Sequence, residues 1–538
     1  MVGAPNRFRG IFRQDAEARG VYSESAGIQR IDPVAVAVPA DAEDVGALVE
    51  WARAEGAVLI PRGSGSSMAG GAIGPGVIVD LSRWTDIDTT HLGDNRLTVG
   101  PGAICAQVEA VARTAGLRFP VDPSSAAFCT IGGMTATNAA GAHSLAFGSM
   151  REWVSGVECA FADESRGWIR RGENRGLAGS MSSALSALLK QRSAMASTGT
   201  RHIAVRKNSS GYATTRFAES GDLLDLLVGS EGTLALFTKV EVRLAAVAGG
   251  SASVMGVFSS LAAATEAAIR AREAGAVACE LLDKTFLDFV ATASGMAIDA
   301  ATEAILLADV EGATAGDAAA AATAVVHGFS RAGATETRVA TAPTEREALW
   351  SLRHAASPMI ARLSDRLRSM QVIEDGAVPP ERLGEYIAGV RAALDRQQIR
   401  GVIFGHAGDA HVHVNALVDV NARGWRRKLD DLLDEVTALV ALLGGTLSGE
   451  HGDGRLRTPL LDRVWSEASL REFAATKRAF DPDGLLNPGV KTGASRVLPA
   501  IKYDPALQAL PERTSRALAE VERSRSYSAF RLDLLERR

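Results

Sequence analysis

The stretch that most restricts how this chain can fold is residues 129–144, Cys-Thr-Ile-Gly-Gly-Met-Thr-Ala-Thr-Asn-Ala-Ala-Gly-Ala-His-Ser, which is mostly Gly, Ala, Ser and Thr. So few large side chains cannot build a core. They can form a tight wall against a flat ligand. Two further loops have the same character: residues 62–71, Arg-Gly-Ser-Gly-Ser-Ser-Met-Ala-Gly-Gly, and residues 229–234, Gly-Ser-Glu-Gly-Thr-Leu. Glycines let backbone amides converge on phosphate oxygens, and serines add donors. Three such loops argue for a large polyanionic cofactor. The first loop is not a G-x-G-x-x-G turn opening a helix after the first strand, so a Rossmann dinucleotide fold fits poorly.

Around these loops the pattern is mixed α and β. Residues 1–29 read as an arm. From Arg30 onward, residues 32–39 alternate as a short strand, and Asp41 is placed to cap a helix through Val45, Leu48, Val49 and Ala52. Strands follow at 58–61, 76–81 and 96–100, with a helix from Ile104 to Gly116 and a closing strand at 239–244. The first domain is expected to span residues 30–246. In residues 251–342, strands at 253–258, 304–310 and 336–341 alternate with helices at 262–274 and 316–332, which suggests a ferredoxin-like α+β sheet. Residues 343–490 add a helix around Trp350 and a return helix at 427–443, so the second domain is set at 247–491. The Arg- and Glu-rich tail, 492–538, has helical spacing around Leu518, Val521 and Tyr527 and reads as a docking or surface helix.

Bulk properties exclude several functions. The 58 basic and 63 acidic residues leave a net charge of -5, with no basic aromatic groove for nucleic acid. Cys105, Cys129, Cys159 and Cys279 are isolated, which argues against an iron–sulfur cluster and fits a reduced compartment. The first 20 residues carry arginines and no apolar core of a signal peptide, and no run is long enough to cross a membrane. The expected location is cytoplasmic, with attachment to the inner face of the membrane as an alternative.

Chemistry concentrates in Gly405-His406-Ala407-Gly408-Asp409-Ala410-His411-Val412-His413 and, further on, Ser448-Gly449-Glu450-His451-Gly452-Asp453-Gly454. Four of the nine histidines lie here. Imidazole and carboxylate are ligands for a borderline divalent ion such as zinc, and a fourth, unligated histidine is the usual general base. His411 and His413 share a face of an extended segment, while His406 needs a turn at Gly408-Asp409 to join them.

The ordered set Pro61-Arg62-Gly63-Ser64-Gly65, Ser125 through Gly141, Lys207-Asn208-Ser209-Ser210-Gly211-Tyr212 and Gly229-Ser230-Glu231-Gly232-Thr233 resembles the PCMH-type (vanillyl-alcohol oxidase-like) FAD-binding domain. The histidine stretch, Glu450-His451-Gly452 and Leu486-Asn487-Pro488-Gly489 resemble the FAD-linked oxidase C-terminal domain of D-lactate, D-2-hydroxyglutarate and glycolate dehydrogenases. The resemblance covers roughly residues 30–491 and implies a two-subdomain FAD-binding domain, a ferredoxin-like cap and a C-terminal helical return to the FAD domain.

It implies FAD held by Pro61, Arg62, Gly63, Ser64, Gly65, Ser66, Ser67, Pro120, Ser124, Ser125, Thr130, Gly132, Gly133, Thr137, Asn138, Gly141, Ser144, Glu231, Gly232, Thr233 and Asn487. Some members tether FAD to a histidine in the first loop. None stands at 62–71, so non-covalent FAD is expected. His406, His413 and Glu450 would hold the metal, His451 would be the base, and Arg353 would bind the substrate carboxylate, with Ser357 on the same helical face. His411 stands where Asn is commoner, as an extra ligand or a substrate contact.

The implied activity is oxidation of a small D-2-hydroxy acid. The segment Val372-Ile373-Glu374-Asp375-Gly376 lacks the lysine of the 2-hydroxyglutarate members and looks like members fused to an iron–sulfur half, which is absent here. Electrons would pass to a separate iron–sulfur subunit, a quinone or an electron-transfer flavoprotein, with the tail as a docking point. The alternatives are an oxidase using oxygen on another alcohol, and a flavin subunit of a heteromeric dehydrogenase.

Overall fold

In the computed structural model, the described residues are 3–173, 183, 186–188, 190, 203–294, 298–354, 366–493 and 500–536. The first sheet has four strands, in the order Ile11–Arg13, Ala35–Val38, Val77–Asp80, Leu59–Arg62. Its last three strands run parallel, and the central Ala35–Val38 and Val77–Asp80 are buried on both faces. Their unbroken apolar runs suit such a position. The helix Ala42–Glu55 crosses from Ala35–Val38 to Leu59–Arg62. Asp41 caps it by accepting from the amides of Glu43 and Asp44, and Gly56 stops it in the left-handed conformation.

A second, antiparallel sheet of five strands follows the order Ile87–Asp88, Arg96–Val99, Leu236–Arg243, Val154–Ala160, Arg166–Arg170. The two sheets and the loops between them make the first domain.

The cap is built on an eight-stranded sheet. The strands Gly250–Phe258, Ala278–Asp283, Ala304–Gly312 and Glu336–Ala340 alternate with helices Leu261–Glu273 and Ala315–Arg331. They lie in the spatial order fourth, first, third, second, all antiparallel, which is the ferredoxin-like arrangement. The sequence reading had missed Ala278–Asp283. Buried throughout, its sequence Ala-Cys-Glu-Leu-Leu-Asp shows no period of two. It carries the sheet onward to Arg400–His406, His411–Asp419 and Leu367–Met370, with Gly376–Ala377 pairing beside His411–Asp419. One face packs Ile403, Val412 and Val414 against the helices Leu383–Gln397 and Trp425–Leu442. The other packs Leu282, Phe404 and Leu417 against Phe286 and Leu349 of the helices Lys284–Ser294 and Pro343–His354.

Both ends of the chain belong to the first domain. The helix Glu467–Phe480 places Phe473 and Phe480 in its core, and residues 485–487 run beside Leu59, whose amide donates to Leu485 O at 2.8 Å while its carbonyl accepts from Asn487 N at 2.9 Å. The segment read as an arm supplies the edge strand Ile11–Arg13 and the helix Ala16–Val21. That strand is only three residues long, too short for periodicity to register. The tail is not a free docking arm. The helix Glu512–Ser524 buries Ala517 and Val521 against Ala18, Val21 and Tyr22, and Leu532, Leu534 and Leu535 join the same cluster over Ile60 and Ile78.

The two domains are clamped at His143. Its Nδ1 lies 2.5 Å from Asp122 of the first domain and its Nε2 3.4 Å from Asp309 of the cap, with Trp350 stacked on its ring. Burial works against the imidazolium, but Asp122 and Asp309 outweigh it and raise the group to about 10. A pKa raised in the folded state stabilises fully below the unfolded value of about 6.5 and is lost as pH rises through the folded one. Wild-type stability in urea should therefore decline between pH 7 and pH 10. The His143→Gln variant should lose that part of the pH dependence and be weaker at pH 6. Parallel pH profiles for the two proteins would contradict the clamp.

Candidate active site

Strand parity gathers the chemistry. Leu282 pairs with Phe404, Phe404 with His413, and His406 with His411. Side chains alternate along a strand. Glu280, His406, His411, His413 and Asn415 therefore share the sheet face of Leu282 and Phe404. The turn anticipated at Gly408-Asp409 is a short 3-10 segment, Ala407–Asp409, closed by Ala410 in the left-handed conformation. It returns the chain so that His411 stands opposite His406.

At the centre, His406 Nε2 lies 3.3 Å from His413 Nε2 and 3.3 Å from Glu450 Oε1, and His413 Nε2 lies 3.5 Å from the same oxygen. The other ring nitrogens are already committed. His406 Nδ1 is 2.5 Å from Glu280 Oε1, and His413 Nδ1 is 3.0 Å from the carbonyl of Glu374. An N–H at each Nδ1 leaves two Nε2 lone pairs facing one another and a carboxylate oxygen. Ligand bonds of about 2.0–2.2 Å in a tetrahedron give ligand–ligand edges of roughly 3.4 Å, so the three atoms fit the faces of a divalent ion. Outer hydrogen bonds that fix the tautomer are what such ligands need. Lys207 Nζ, 2.9 Å from Glu450 Oε2, holds the far side of the carboxylate. Burial works to raise the Glu450 carboxyl, but Lys207 and His406 outweigh it and keep it well below its usual range.

Beside this cluster, His451 Nδ1 lies 2.6 Å from Glu374 Oε2, and Glu374 is in turn bound by Arg457. Burial disfavours the imidazolium, but Glu374 and Asp375 raise His451 to about 10. Asp375 organises the loop. It accepts from the amides of Glu450 at 3.2 Å and His451 at 2.9 Å and from Ser448 Oγ at 2.9 Å, and meets His411 Nε2 at 2.9 Å. Burial lowers His411 to about 4, so its ring is neutral. It clusters with His406, His413 and Glu450, their ligand atoms within 4.8 Å of one another. Arg353, on the helix Pro343–His354, donates from Nε to Glu280 Oε2 at 2.7 Å and lies over the Phe404 ring. Ser357 lies outside the described residues.

One cavity of about 790 Å³ joins this cluster to the small-residue loops. Pro61, Arg62, Gly63, Ser64, Gly65, Ser66, Ser67, Ser124, Ser125, Thr130, Gly132, Gly133, Thr137, Gly141, Glu231 and Gly232 line it together with Arg353, His406, His413, Glu450 and His451. Among the described residues, the backbone amides of residues 63–67 donate to no protein acceptor, which leaves a row of N–H groups for phosphate oxygens. The close approach of the walls explains the glycines. A Cβ at Gly63 would sit 2.2 Å from Thr130 Oγ1, and one at Gly232 2.1 Å from Pro61 Cγ. These walls fit a flat dinucleotide.

The remaining expected cofactor residues stand behind the wall. Pro120, Asn138, Ser144, Thr233 and Asn487 do not line the cavity. Asn138 accepts from Ser149 Oγ and Arg151 N, Ser144 donates to Asp409, Thr233 meets Tyr212, and Asn487 donates to the carbonyls of Gly71 and Glu231. Glu231 turns its carboxylate to the amides of Asp453 and Gly454 and to Lys491. Sequence reasoning missed Glu280 and held Lys207 only as part of the Lys207–Tyr212 motif, without a role. Glu280 carried a signal, a carboxylate inside the apolar run Ala-Cys-Glu-Leu-Leu.

A phosphate-ready cradle of small residues opening onto a buried His/Glu cluster defines a flavin-type oxidoreductase. The comparisons agree. Residues 33–167 match the FAD binding domain, and residues 250–490 match the FAD linked oxidases, C-terminal domain. The chain belongs to this family of FAD-linked oxidoreductases. It is 29% identical over 461 residues to D-lactate dehydrogenase of Archaeoglobus fulgidus, covering 84% of this chain and 90% of that one. It is 26% identical over 497 residues to glycolate oxidase subunit GlcD of Bacillus subtilis, covering 91% and 94%. The solved structure of alkyldihydroxyacetonephosphate synthase shares the fold, with a TM-score of 0.61 at 16% identity over 89% of this chain and 83% of that one.

Replacing Glu280 by Gln removes the carboxylate that orients His406. Zinc affinity should fall about 10–100-fold in competition with a chelating dye, with flavin content unchanged. Unaltered zinc affinity would exclude Glu280 from any part in metal binding.

Proposed function

We propose that this enzyme oxidises a small D-2-hydroxy acid, of the D-lactate type, to the 2-oxo acid and passes the electrons to a separate acceptor. The observation that carries the reading is the convergence of His406 Nε2, His413 Nε2 and Glu450 Oε1 in the same cavity as the dinucleotide cradle. FAD supplies a hydride acceptor, and a divalent ion, zinc in this reading, a Lewis acid. The loops at 62–67 and 124–141 would hold FAD, and His406, His413 and Glu450 the ion.

The chain's own groups account for the rest. Arg353 reaches the cavity with Glu280 fixing its Nε edge, and a guanidinium suits the substrate carboxylate. Glu374 accepts at His451 Nδ1, and a divalent ion held beside the ring would oppose its second proton, which leaves Nε2 to receive the hydroxyl proton as the Cα–H bond breaks. The Glu374 carboxylate and the buried Asp375 stabilise the imidazolium so formed, as their effect on His451 indicates.

The names of the relatives support both halves of the reading. One is a D-lactate dehydrogenase, and another is called a subunit of glycolate oxidase, which favours onward transfer to a partner protein. Residues 372–376 carry no lysine, which points away from a substrate with a second carboxylate.

The test is anaerobic bleaching of the flavin absorbance by D-lactate, L-lactate, D-2-hydroxyglutarate and glycolate, before and after chelation. Rapid bleaching by D-lactate, abolished by chelator and restored by zinc, is expected. The His451→Gln variant should bleach about 10²–10⁴-fold more slowly. No bleaching by any acid in protein loaded with flavin and metal would refute the proposal.

A further inference from the structure

The matches to known families end at residue 490, yet the cavity wall does not. Beyond that point, Tyr503, Glu522, Arg525 and Tyr527 also line it. The helix Glu512–Ser524 stops at Arg525, which takes a left-handed conformation with φ 54°. A non-glycine residue in that conformation is strained, and such strain clusters where a side chain must be aimed. Arg525 lies over the Phe128 ring, 5.3 Å from its centroid, and Tyr527 packs against the same ring at 5.3 Å. Among the described residues, Arg525 has no carboxylate partner within 4.0 Å.

Six residues on, Arg531 is 3% exposed and donates from Nη2 to the carbonyl of Ser64 at 3.3 Å. Its Nε and Nη1 have no partner, and neither do Nε and Nη2 of Arg62, which is 2% exposed and lines the cavity. Arg62 otherwise donates to the carbonyls of Glu24 and Ala72. Burial and the nearby Arg62 charge lower Arg531 to about 10. Asp80, whose charge favours both guanidiniums, also accepts from the Tyr22 hydroxyl at 2.5 Å. Unpaired buried cations are costly unless an anion compensates them. Arg62 and Arg531 thus meet at the loop whose free amides await phosphate, and Arg525 lines the same cavity, so two of the three come from the tail.

We propose that residues 500–536 are a built-in part of the FAD site, in which Arg525 and Arg531 compensate the cofactor pyrophosphate and Tyr527 with Phe128 walls the bound dinucleotide. Arg525 lines the cavity and would contact the phosphates. Arg531 is a positioning residue that braces the loop at Ser64 and adds charge behind it. The proposal rests on the assignment of FAD to this cavity.

The test is titration of full-length apoprotein with FAD, and separately with riboflavin, which lacks phosphate, followed by flavin fluorescence. In Arg525→Ala and Arg531→Met, FAD binding should weaken tenfold or more and riboflavin binding stay within twofold of wild type. The FAD affinity of both variants should also depend less on salt. Arg531→Lys, which keeps the charge, should stay within threefold of wild type and guards against misfolding of the methionine variant. FAD affinities within twofold of wild type for Arg525→Ala would overturn the proposal. So would equal weakening of FAD and riboflavin with a lowered melting temperature, the mark of a purely structural tail. Failure of the wild-type protein to bind FAD would instead overturn the cofactor assignment.

Discussion

Two imidazole nitrogens held 3.3 Å apart in a buried site, each with its other nitrogen engaged elsewhere, need something positive between them. Everything around the catalytic centre follows from that requirement. The pairing of Arg400–His406 with His411–Asp419 brings the rings to one face, Glu280 and the Glu374 carbonyl engage their Nδ1 atoms, and Lys207 steadies the Glu450 carboxylate. Without the cap sheet the histidines would be ordinary polar groups on a strand. With it they become a directional set of lone pairs.

The same economy governs the carboxylates. Asp375 takes four contacts from the segment 448–451 and His411, and in doing so fixes the backbone on which Glu450 and His451 sit as neighbours. Adjacent residues of a loop point in different directions, so one carboxylate can face the His406 and His413 nitrogens while the next imidazole faces Glu374. A buried acid holding backbone amides is a rigid device, since moving it would leave several groups unsatisfied at once. The different orientations of Glu450 and His451 are thus set by an acid that does not reach the cavity.

Local features of the sequence carried much of this. The helix capped by Asp41, the small-residue loops and the turn between His406 and His413 were readable because each is written in consecutive residues. What escaped was written across distance. Glu280 lies 126 residues before His406, and Lys207 243 residues before Glu450. No spacing rule connects them. The strand Ala278–Asp283 gave no alternation because it is covered on both faces, and the arm and tail looked like appendages because their apolar residues meet partners far away in the chain, each other and Val36, Ile60 and Ile78. Residues such as Asn138 and Thr233 were recognisable by motif. Only the packing reveals that they buttress the loops from behind.

The chain begins its first sheet near residue 11 and finishes dressing it near residue 535. Leu59 exchanges backbone hydrogen bonds with residues 485 and 487, and the cluster over Ile60 and Ile78 awaits Leu532 to Leu535. During synthesis, the opening strands must therefore wait, with their apolar faces uncovered, while the whole cap is made. Contacts this remote in sequence form slowly and leave surfaces open to wrong partners. The cap, whose sheet and helices are drawn from residues 250–442, can pack much of its core first. The nucleotide-binding half, although first off the ribosome, is the last to be completed.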